Sequence, residues 1–221
     1  MDTQGNVTRL PIPTPRHAHL PVGSVDVLPL RAAQRWPRHT ALRGHAGALS
    51  FAELDRRVSR LASGLRELIG GDGSVVAVSA LLGLDFPVAY YAIARSGNVI
   101  APVHPRMAAD VLERLLTTAG ARAAVLNRAM YDRVRPVLGR RRLEHVLLLD
   151  GPPTPGVATC AELTTRGDLL VEPRDRNEYE LGAIQPGAGR LTHHSLKADA
   201  ARTGAAHGSV QIGRASCREK V

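Results

Sequence analysis

Hydrophobic residues recur with a helical period between residues 50 and 70. They are spaced three or four positions apart, which places them on one face of an α-helix. These residues are Leu54, Val58, Leu61, Leu65 and Leu68. Ser50 and Glu53 begin the run with the S-x-x-E pattern of a capping box, and Gly70 follows it. The pattern therefore predicts an amphipathic helix over 50–70 whose apolar face packs against a core.

After residue 70, short apolar runs alternate with helical patterns. The runs predicted as strands are 75–80, 99–103, 121–126, 145–150 and 181–185. The stretches predicted as helices are 85–97, 107–120, 128–139 and 191–206. Continuously apolar strands separated by helices are typical of a parallel sheet covered on both faces. We therefore predict an α/β fold with a doubly wound, mostly parallel sheet flanked by helices.

Local signals refine these elements. A short helix is predicted over 25–37, and a short strand over 40–44. Asp85 is expected to cap the helix at 85–97, and Gly97 suits its end. The helix at 107–120 is expected to turn five residues inward. Those residues are Met107, Val111, Leu112, Leu115 and Leu116.

The remaining segments lack a regular pattern. Residues 1–24 contain four prolines and are expected to form a flexible leader. A proline-rich connector is predicted over 151–159, a charged loop over 166–180, and a surface turn within the arginine-rich stretch 135–145. The longest apolar stretch, 75–82, is too short to span a bilayer, and no signal peptide is evident, so a cytoplasmic location is expected.

Composition narrows the candidate chemistry. The formal net charge is +9, from 27 arginines and 2 lysines against 20 acidic residues. The arginines are scattered and only 3% of residues are aromatic, so we do not expect nucleic acid as a partner. The two cysteines, Cys160 and Cys217, show no metal-ligand spacing and are interpreted as free thiols.

One stretch of the chain resembles a known enzyme family. Residues 89–126 contain a helix ending at Arg95, the pair Ser96-Gly97, an apolar strand, and Pro-x-x-Pro at 102–105. This order is similar to the N-terminal region of the adenylate-forming enzymes, which include acyl-CoA synthetases, aryl-acid AMP ligases and adenylation domains of nonribosomal peptide synthetases. The resemblance extends from about residue 25 to about residue 203.

The resemblance implies a fold, a reaction and cofactors. It predicts that residues 25–211 form an incomplete N-terminal subdomain of an adenylate-forming enzyme. Such enzymes use ATP and Mg²⁺ to convert a small-molecule carboxylic acid into an acyl-adenylate. A thiol, from CoA or a carrier-protein pantetheine, then accepts the acyl group. An acyl-CoA synthetase is the favoured interpretation, including a place in fatty acid metabolism.

The candidate phosphate site lies at residues 186–192. In the family, the strand matching 181–185 leads into a longer loop of Ser, Thr and Gly ending in Pro-Lys-Gly, whereas here only Pro-Gly-Ala-Gly-Arg precedes Leu191. The expected cofactor-binding residues are Gly187, Gly189, Arg190 and Thr192. Arg190 would replace the lysine as a charge, and the N–H groups of a following helix would meet an anion.

Other motifs do not supply a second site. The P-loop pattern is absent, and GAGRLT lacks the third glycine of a dinucleotide fingerprint. His193 and His194 are interpreted as solvated residues, and the pair His17 and His19 has no third metal ligand in view, so no metal site and no catalytic residue are assigned.

The predicted function is a fragment of an ATP-dependent carboxylic acid:CoA ligase that is inactive in this form. The shortened loop and the absence of the family's later motifs motivate that prediction. One alternative is a non-catalytic binding module with a nucleotide-binding fold. Others are a fragment of an aryl-acid or nonribosomal peptide synthetase adenylation domain, and a nucleic-acid binder.

The last ten residues differ in character from the rest. Residues 212–221, IGRASCREKV, resemble one translated frame of a common short-read sequencing adapter, IGRASCRERV, with Lys220 as the one difference. We predict that amplification of the gene from genomic DNA will replace these codons and continue beyond residue 211. A genomic sequence that encodes 212–221 unchanged would contradict this.

Overall fold

Helices cover both faces of a central sheet in the part of the chain that the structure describes. A computed structural model describes residues 25–70, 73–138 and 143–167, and the backbone of 181–187 and 190–195. The helices are α1 Val27–Arg35, α2 Phe51–Ile69, α3 Asp85–Arg95, α4 Ala109–Thr118, α5 Arg128–Leu138 and α6 Cys160–Arg166. The strands are β1 Thr40–Gly44, β2 Gly47–Ser50, β3 Val75–Ser79, β4 Val99–Val103, β5 Ala121–Leu126, β6 His145–Leu148, β7 Ala158–Thr159, β8 Leu181–Gly187 and β9 Arg190–Ser195.

The large sheet has the order β7-β6-β5-β3-β4-β8-β9. All neighbouring pairs from β7 to β8 are parallel, and only β8 and β9 pair antiparallel. Strand β3 lies between β4 and β5, with Val76 opposite Ile100 on one side and Ala123 on the other. The predicted doubly wound, mostly parallel α/β fold is confirmed.

Alternate residues of each strand face different helices. In β3, Val76 and Val78 belong to a buried cluster with α2 and α3, whereas Ala77 belongs to a second cluster with α4 and α5. In β5, Val125 and Leu126 divide between the same two clusters. Since strand side chains alternate between the two faces of a sheet, both faces of these strands are buried.

Helix α2 forms as its sequence predicts. The Ser50 hydroxyl accepts the Glu53 N–H at 3.3 Å, and the Glu53 carboxylate accepts the Ser50 N–H at 2.8 Å. This capping box satisfies two donors that an α-helix leaves open at its start. The predicted apolar face is buried at its first four positions, while Leu68 is partly buried.

Several local expectations were wrong. Asp85 is the first residue of α3, and the cap position is Leu84, so no side chain caps that helix. Val111 is 40% exposed because it lies away from the apolar face defined by Leu112, Leu115 and Leu116. Residues 191–195 belong to strand β9 rather than to a helix, because they pair with β8.

Three elements were not predicted, and several predicted segments lie outside the described residues. Strand β7 lies within the stretch predicted as a proline-rich connector. Strand β2 pairs with β1 as a small antiparallel sheet. Helix α6 follows the proline-rich connector and begins with a second capping box, between Thr159 and Glu162. The leader at 1–24, most of the charged loop at 166–180 and the tail at 212–221 lie outside the described residues.

The guanidinium of Arg95 joins three helices and is only 1% exposed. Its Nη1 donates to the Ser59 hydroxyl at 2.6 Å, and its Nη2 donates to the Asp26 carbonyl at 2.7 Å. The same Nη2 lies 2.8 Å from a carboxylate oxygen of Asp55. Arg95 therefore ties the end of α3 to α2 and to the residue preceding α1.

We predict that Arg95→Ala lowers the free energy of unfolding by about 3–5 kcal/mol. The change leaves the Asp55 carboxylate, which is 17% exposed, without its counter-charge. Urea unfolding followed by circular dichroism measures the effect.

Arg114→Ala is the matched control. Arg114 pairs with Asp110 at 3.0 Å, but both side chains are more than 60% exposed. An exposed pair contributes less than about 1 kcal/mol. Equal losses for the two variants would refute the role assigned to Arg95.

Candidate functional site

The topology creates a crevice at the carboxyl edge of the sheet. Helix α3, which follows β3, packs on one face, and helix α4, which follows β4, packs on the other. Because β3 and β4 are neighbours, their outgoing loops separate at this edge. Ligands of open α/β sheets bind outside the carboxyl ends of the strands at such a switch point. The order of the strands therefore favours a ligand site at this edge.

Polar and apolar groups are both present at this edge. The hydroxyl of Ser79, at the end of β3, donates to the Asn127 carboxamide oxygen at 2.7 Å, and both residues are buried. The ring nitrogen Nδ1 of His104, which follows β4, accepts the Arg106 N–H at 3.2 Å. Leu82, in the loop after β3, is 95% exposed.

The predicted phosphate-binding segment reaches the same edge. Strand β8 runs parallel to β4, with Ala183 opposite Ile100, so the end of β8 lies beside the end of β4. Gly187 and Arg190 pair directly with each other in the β8–β9 hairpin, and Thr192 pairs with Gln185. Of the four predicted residues, only Gly189 lies outside the described residues.

The hairpin differs from the arrangement expected at this position. Gly187 and Arg190 are partners in the ladder, which leaves only residues 188 and 189 between them. No helix begins at residue 191, so the helical N–H groups expected to meet an anion are absent from residues 191–195. The described backbone therefore does not fit the cradle of hydroxyls, glycines and lysine that would hold a triphosphate. The assignment of Gly187, Gly189, Arg190 and Thr192 to cofactor binding stays a prediction.

A cavity of about 440 Å³ lies beside the end of β6. It is lined by residues of helices α2, α3 and α6, is partly open to solvent, and contains charged, hydroxyl, thiol and apolar groups. Its lining residues include Arg57, Leu61, Asp85, Val88, Leu149, Asp150, Thr159, Cys160 and Thr164. None of these was assigned to a site from the sequence.

The surroundings of the cavity raise the pKa of two of its groups. Desolvation raises the pKa of the Asp85 carboxyl and nearby Asp150 raises it further, while Arg57 opposes the shift. Burial raises the pKa of the Cys160 thiol to about 12, with added contributions from Asp85 and Asp150. Cys160 is therefore a neutral thiol at ordinary pH.

The described residues contain neither a metal-binding cluster nor a helix suited to crossing a membrane. No group of three or more His, Cys, Asp or Glu side chains is arranged to hold a metal ion there. Among the helices described, none is both long and apolar enough to cross a membrane. The predicted histidine pairs, at 17 and 19 and at 193 and 194, have side chains outside the described set.

Comparison with known proteins agrees with the fold. The family model described as AMP-binding enzyme matches residues 30–180, which is more than half of the chain. The chain belongs to the AMP-binding enzyme family. The resemblance to adenylate-forming enzymes is thereby confirmed at the level of the family.

Curated relatives are ligases of this AMP-binding family. A feruloyl-CoA synthase of an Amycolatopsis species is 38% identical over 96 residues, covering 42% of this chain and 19% of that protein. The salicyl-AMP ligase / salicyl-S-ArCP synthetase of Mycobacterium tuberculosis is 32% identical over 157 residues, covering 64% of this chain and 27% of that protein. The matched region thus spans between about a fifth and about a quarter of these relatives.

Solved structures share the AMP-binding fold. The anthranilate CoA ligase AuaEII in complex with anthranoyl-AMP superposes with a TM-score of 0.75 at 14% identity, covering 79% of this chain and 35% of that one. The apo structure of MbtA from Mycobacterium smegmatis superposes with a TM-score of 0.71 at 24% identity, covering 79% and 34%. At these identities the likeness shows the fold alone.

Sequence reasoning missed the cavity because it missed helix α6. The available signal was T-x-x-E at 159–162, the same capping pattern that marks α2. Its hydrogen bonds are the Thr159 hydroxyl accepting the Glu162 N–H at 3.1 Å and the reciprocal bond at 2.9 Å. Cys160 is the first residue of this helix, and it lines the cavity.

We predict that Cys160 alkylates slowly in the folded protein. A thiol with a pKa of about 12 carries roughly 10³-fold less thiolate at pH 8 than an unperturbed one. Iodoacetamide labelling of a Cys217→Ser protein, followed by mass spectrometry, measures the rate. The same protein in concentrated urea supplies the unperturbed rate, and similar rates in both conditions would contradict the prediction.

Proposed function

We propose that this chain is the N-terminal part of an ATP-dependent ligase that joins a carboxylic acid to a thiol. The family match and the ligases among its relatives support this reaction class. In that reaction, ATP and Mg²⁺ convert the acid to an acyl-adenylate with release of pyrophosphate. A CoA or pantetheine thiol then takes the acyl group, with an acyl-CoA synthetase as the favoured form.

We further propose that a protein of these 221 residues does not form an adenylate. The observation that carries this proposal is the β8–β9 hairpin, where Gly187 pairs with Arg190 at the sheet edge beside β4. Charge-assisted hydrogen bonds stabilise by roughly 1.5–3 kcal/mol each. Loss of three or four such bonds to the phosphates would cost roughly 5–10 kcal/mol, or at least about 10³-fold in rate.

The remaining residues of the hairpin have a reduced role in this proposal. Arg190 would supply one positive charge near a phosphate, and Gly187, Gly189 and Thr192 would supply polar groups close to it. Because the described backbone does not fit a triphosphate cradle, no step of the reaction is assigned to these residues.

The relatives are named for different acids and for two kinds of thiol acceptor, so the proposal covers both acceptors. Feruloyl-CoA synthase and benzoate–CoA ligase are named for CoA, whereas the salicyl-AMP ligase is named for a carrier-protein product. Aryl-acid activation for a carrier protein is therefore the second candidate, favoured by the longest of these alignments, at 157 residues.

We predict no acid-dependent exchange of pyrophosphate into ATP. The assay presents benzoate, salicylate, ferulate and a medium-chain fatty acid separately with MgATP, and a purified AMP-binding ligase serves as the positive control. Any acid-dependent exchange above the blank would refute inactivity.

A folding control makes the assay decisive. Cooperative thermal unfolding of the same sample shows that an inactive protein is folded. Such an outcome favours a non-catalytic nucleotide-fold module, whereas an aggregated sample favours an incomplete enzyme, because unpaired sheet edges and exposed apolar faces promote association.

A further inference from the structure

The segment that joins α1 to α2 carries positive charge and no acid. Residues 27–52 include four arginines and two histidines but neither aspartate nor glutamate. Within this segment, residues 34–40 and 43–48 are all exposed, and these exposed residues form a cationic ridge. The first acid beyond it is Glu53, whose carboxylate accepts the N–H and the hydroxyl of Ser50 in the capping box. The positive charge of the ridge is therefore not offset by acids of its own segment.

The first part of the cationic ridge is a turn that is fixed to the start of α2. The His39 N–H donates to the Trp36 carbonyl at 3.1 Å, and the His39 carbonyl accepts the Phe51 N–H at 3.0 Å. Trp36 is 46% exposed, and the centroid of its ring lies 6.5 Å from that of the Phe51 ring. The Arg35 guanidinium lies over the Trp36 ring, 4.9 Å from its centroid. The turn therefore presents an aromatic ring beside a cation, on a backbone that hydrogen bonds hold in place.

The second part of the cationic ridge is the β1–β2 hairpin. Leu42 and Leu49 pair with each other and pack against the core. The next pair, Arg43 and Ala48, therefore lies on the outer face of the hairpin, and both residues are exposed. Arg43 follows His39 by four residues of extended chain, a span of about 13 Å. The turn and the hairpin thus expose their cations a short distance apart.

The arginines of the cationic ridge differ from other arginines in their partners. Arg114, Arg122 and Arg128 each form an ion pair with a nearby carboxylate. Among the described residues, no carboxylate lies within ion-pair distance of Arg38 or Arg43. The charges of these two arginines are therefore available to an anionic partner.

We propose that the cationic ridge binds the surface of a bilayer that contains anionic phospholipids. The negative potential of such a surface attracts arginine, and tryptophan favours the headgroup region, where its ring meets both water and lipid. The hairpin projects outward, since no atom of another described residue, apart from chain neighbours, lies within 4 Å of where a Cβ at Gly47 would be. A projecting surface suits a flat partner. Single-stranded nucleic acid fits less well, because Arg35 already covers one face of the Trp36 ring on which a base would stack.

Vesicles of phosphatidylcholine, with or without an equal amount of phosphatidylglycerol, are the probes for this proposal. We expect the full chain to sediment with the anionic vesicles at about 0.1 M NaCl and to be released at about 0.5 M, because salt screens the attraction. Trp36 is the only tryptophan of the chain, so its fluorescence reports directly on the ridge. We expect its emission to shift to shorter wavelength on binding. Failure to sediment with anionic vesicles, or sedimentation without a change in Trp36 emission, would overturn the proposal.

Two double variants test whether the ridge itself makes the contact. Arg38→Gln combined with Arg43→Gln should weaken binding to anionic vesicles about 25-fold, since each arginine near the surface contributes roughly fivefold. Arg106→Gln combined with Arg135→Gln removes the same charge from exposed positions elsewhere and should weaken binding less than about twofold. Equal losses in the two variants would show attraction by net charge alone and refute the proposal. Binding of a single-stranded oligonucleotide that is lost in the ridge variant, without vesicle binding by the parent, would assign the ridge to nucleic acid instead.

Discussion

Strand β3 is buried on both of its faces, and this burial determines how the helices are arranged around the sheet. Its residues Val76 and Val78 face α2 and α3, and Ala77 faces α4 and α5. A strand in this position tolerates apolar residues at successive places and requires neighbours on both edges, which β4 and β5 supply. Because the chain leaves β3 and β4 toward opposite faces, the same constraint creates the crevice at the carboxyl edge. The order of strands and helices therefore determines where a site can form, whichever side chains line it.

The layers of the fold could be predicted because each follows from a local period. The stripe on α2 and its Ser50–Glu53 cap are visible as spacings in the sequence, and the structure confirms them. Strand β2 and helix α6 were missed for a different reason, since each is too short to show a period. The prediction that Asp85 caps α3 was wrong because the cap position depends on the backbone geometry of a single residue. That position is occupied by Leu84.

The site was harder to predict because its geometry depends on pairing between distant segments. Residues 191–195 contain polar and apolar residues that suit either a helix or a strand, and hydrogen bonding to β8 decides between them. The cavity also depends on distant segments, since Asp85 and Asp150 follow different strands and line the same space together with residues of α2 and α6. Neither residue belongs to a motif that spacing would reveal. Sequence reasoning could locate the edge of the sheet but not the groups that converge there.

The charge of the whole chain and the charge of the cavity act over different distances. A net charge of +9 attracts anions to the surface in general, yet salt at physiological strength screens such attraction beyond about 8 Å. At the wall of the cavity, Asp85 and Asp150 share the space with Arg57, so charges of both signs act there at short range. The net charge of the chain therefore does not determine the electrostatics of the cavity, because the charges in its own wall are nearer and are not all of one sign.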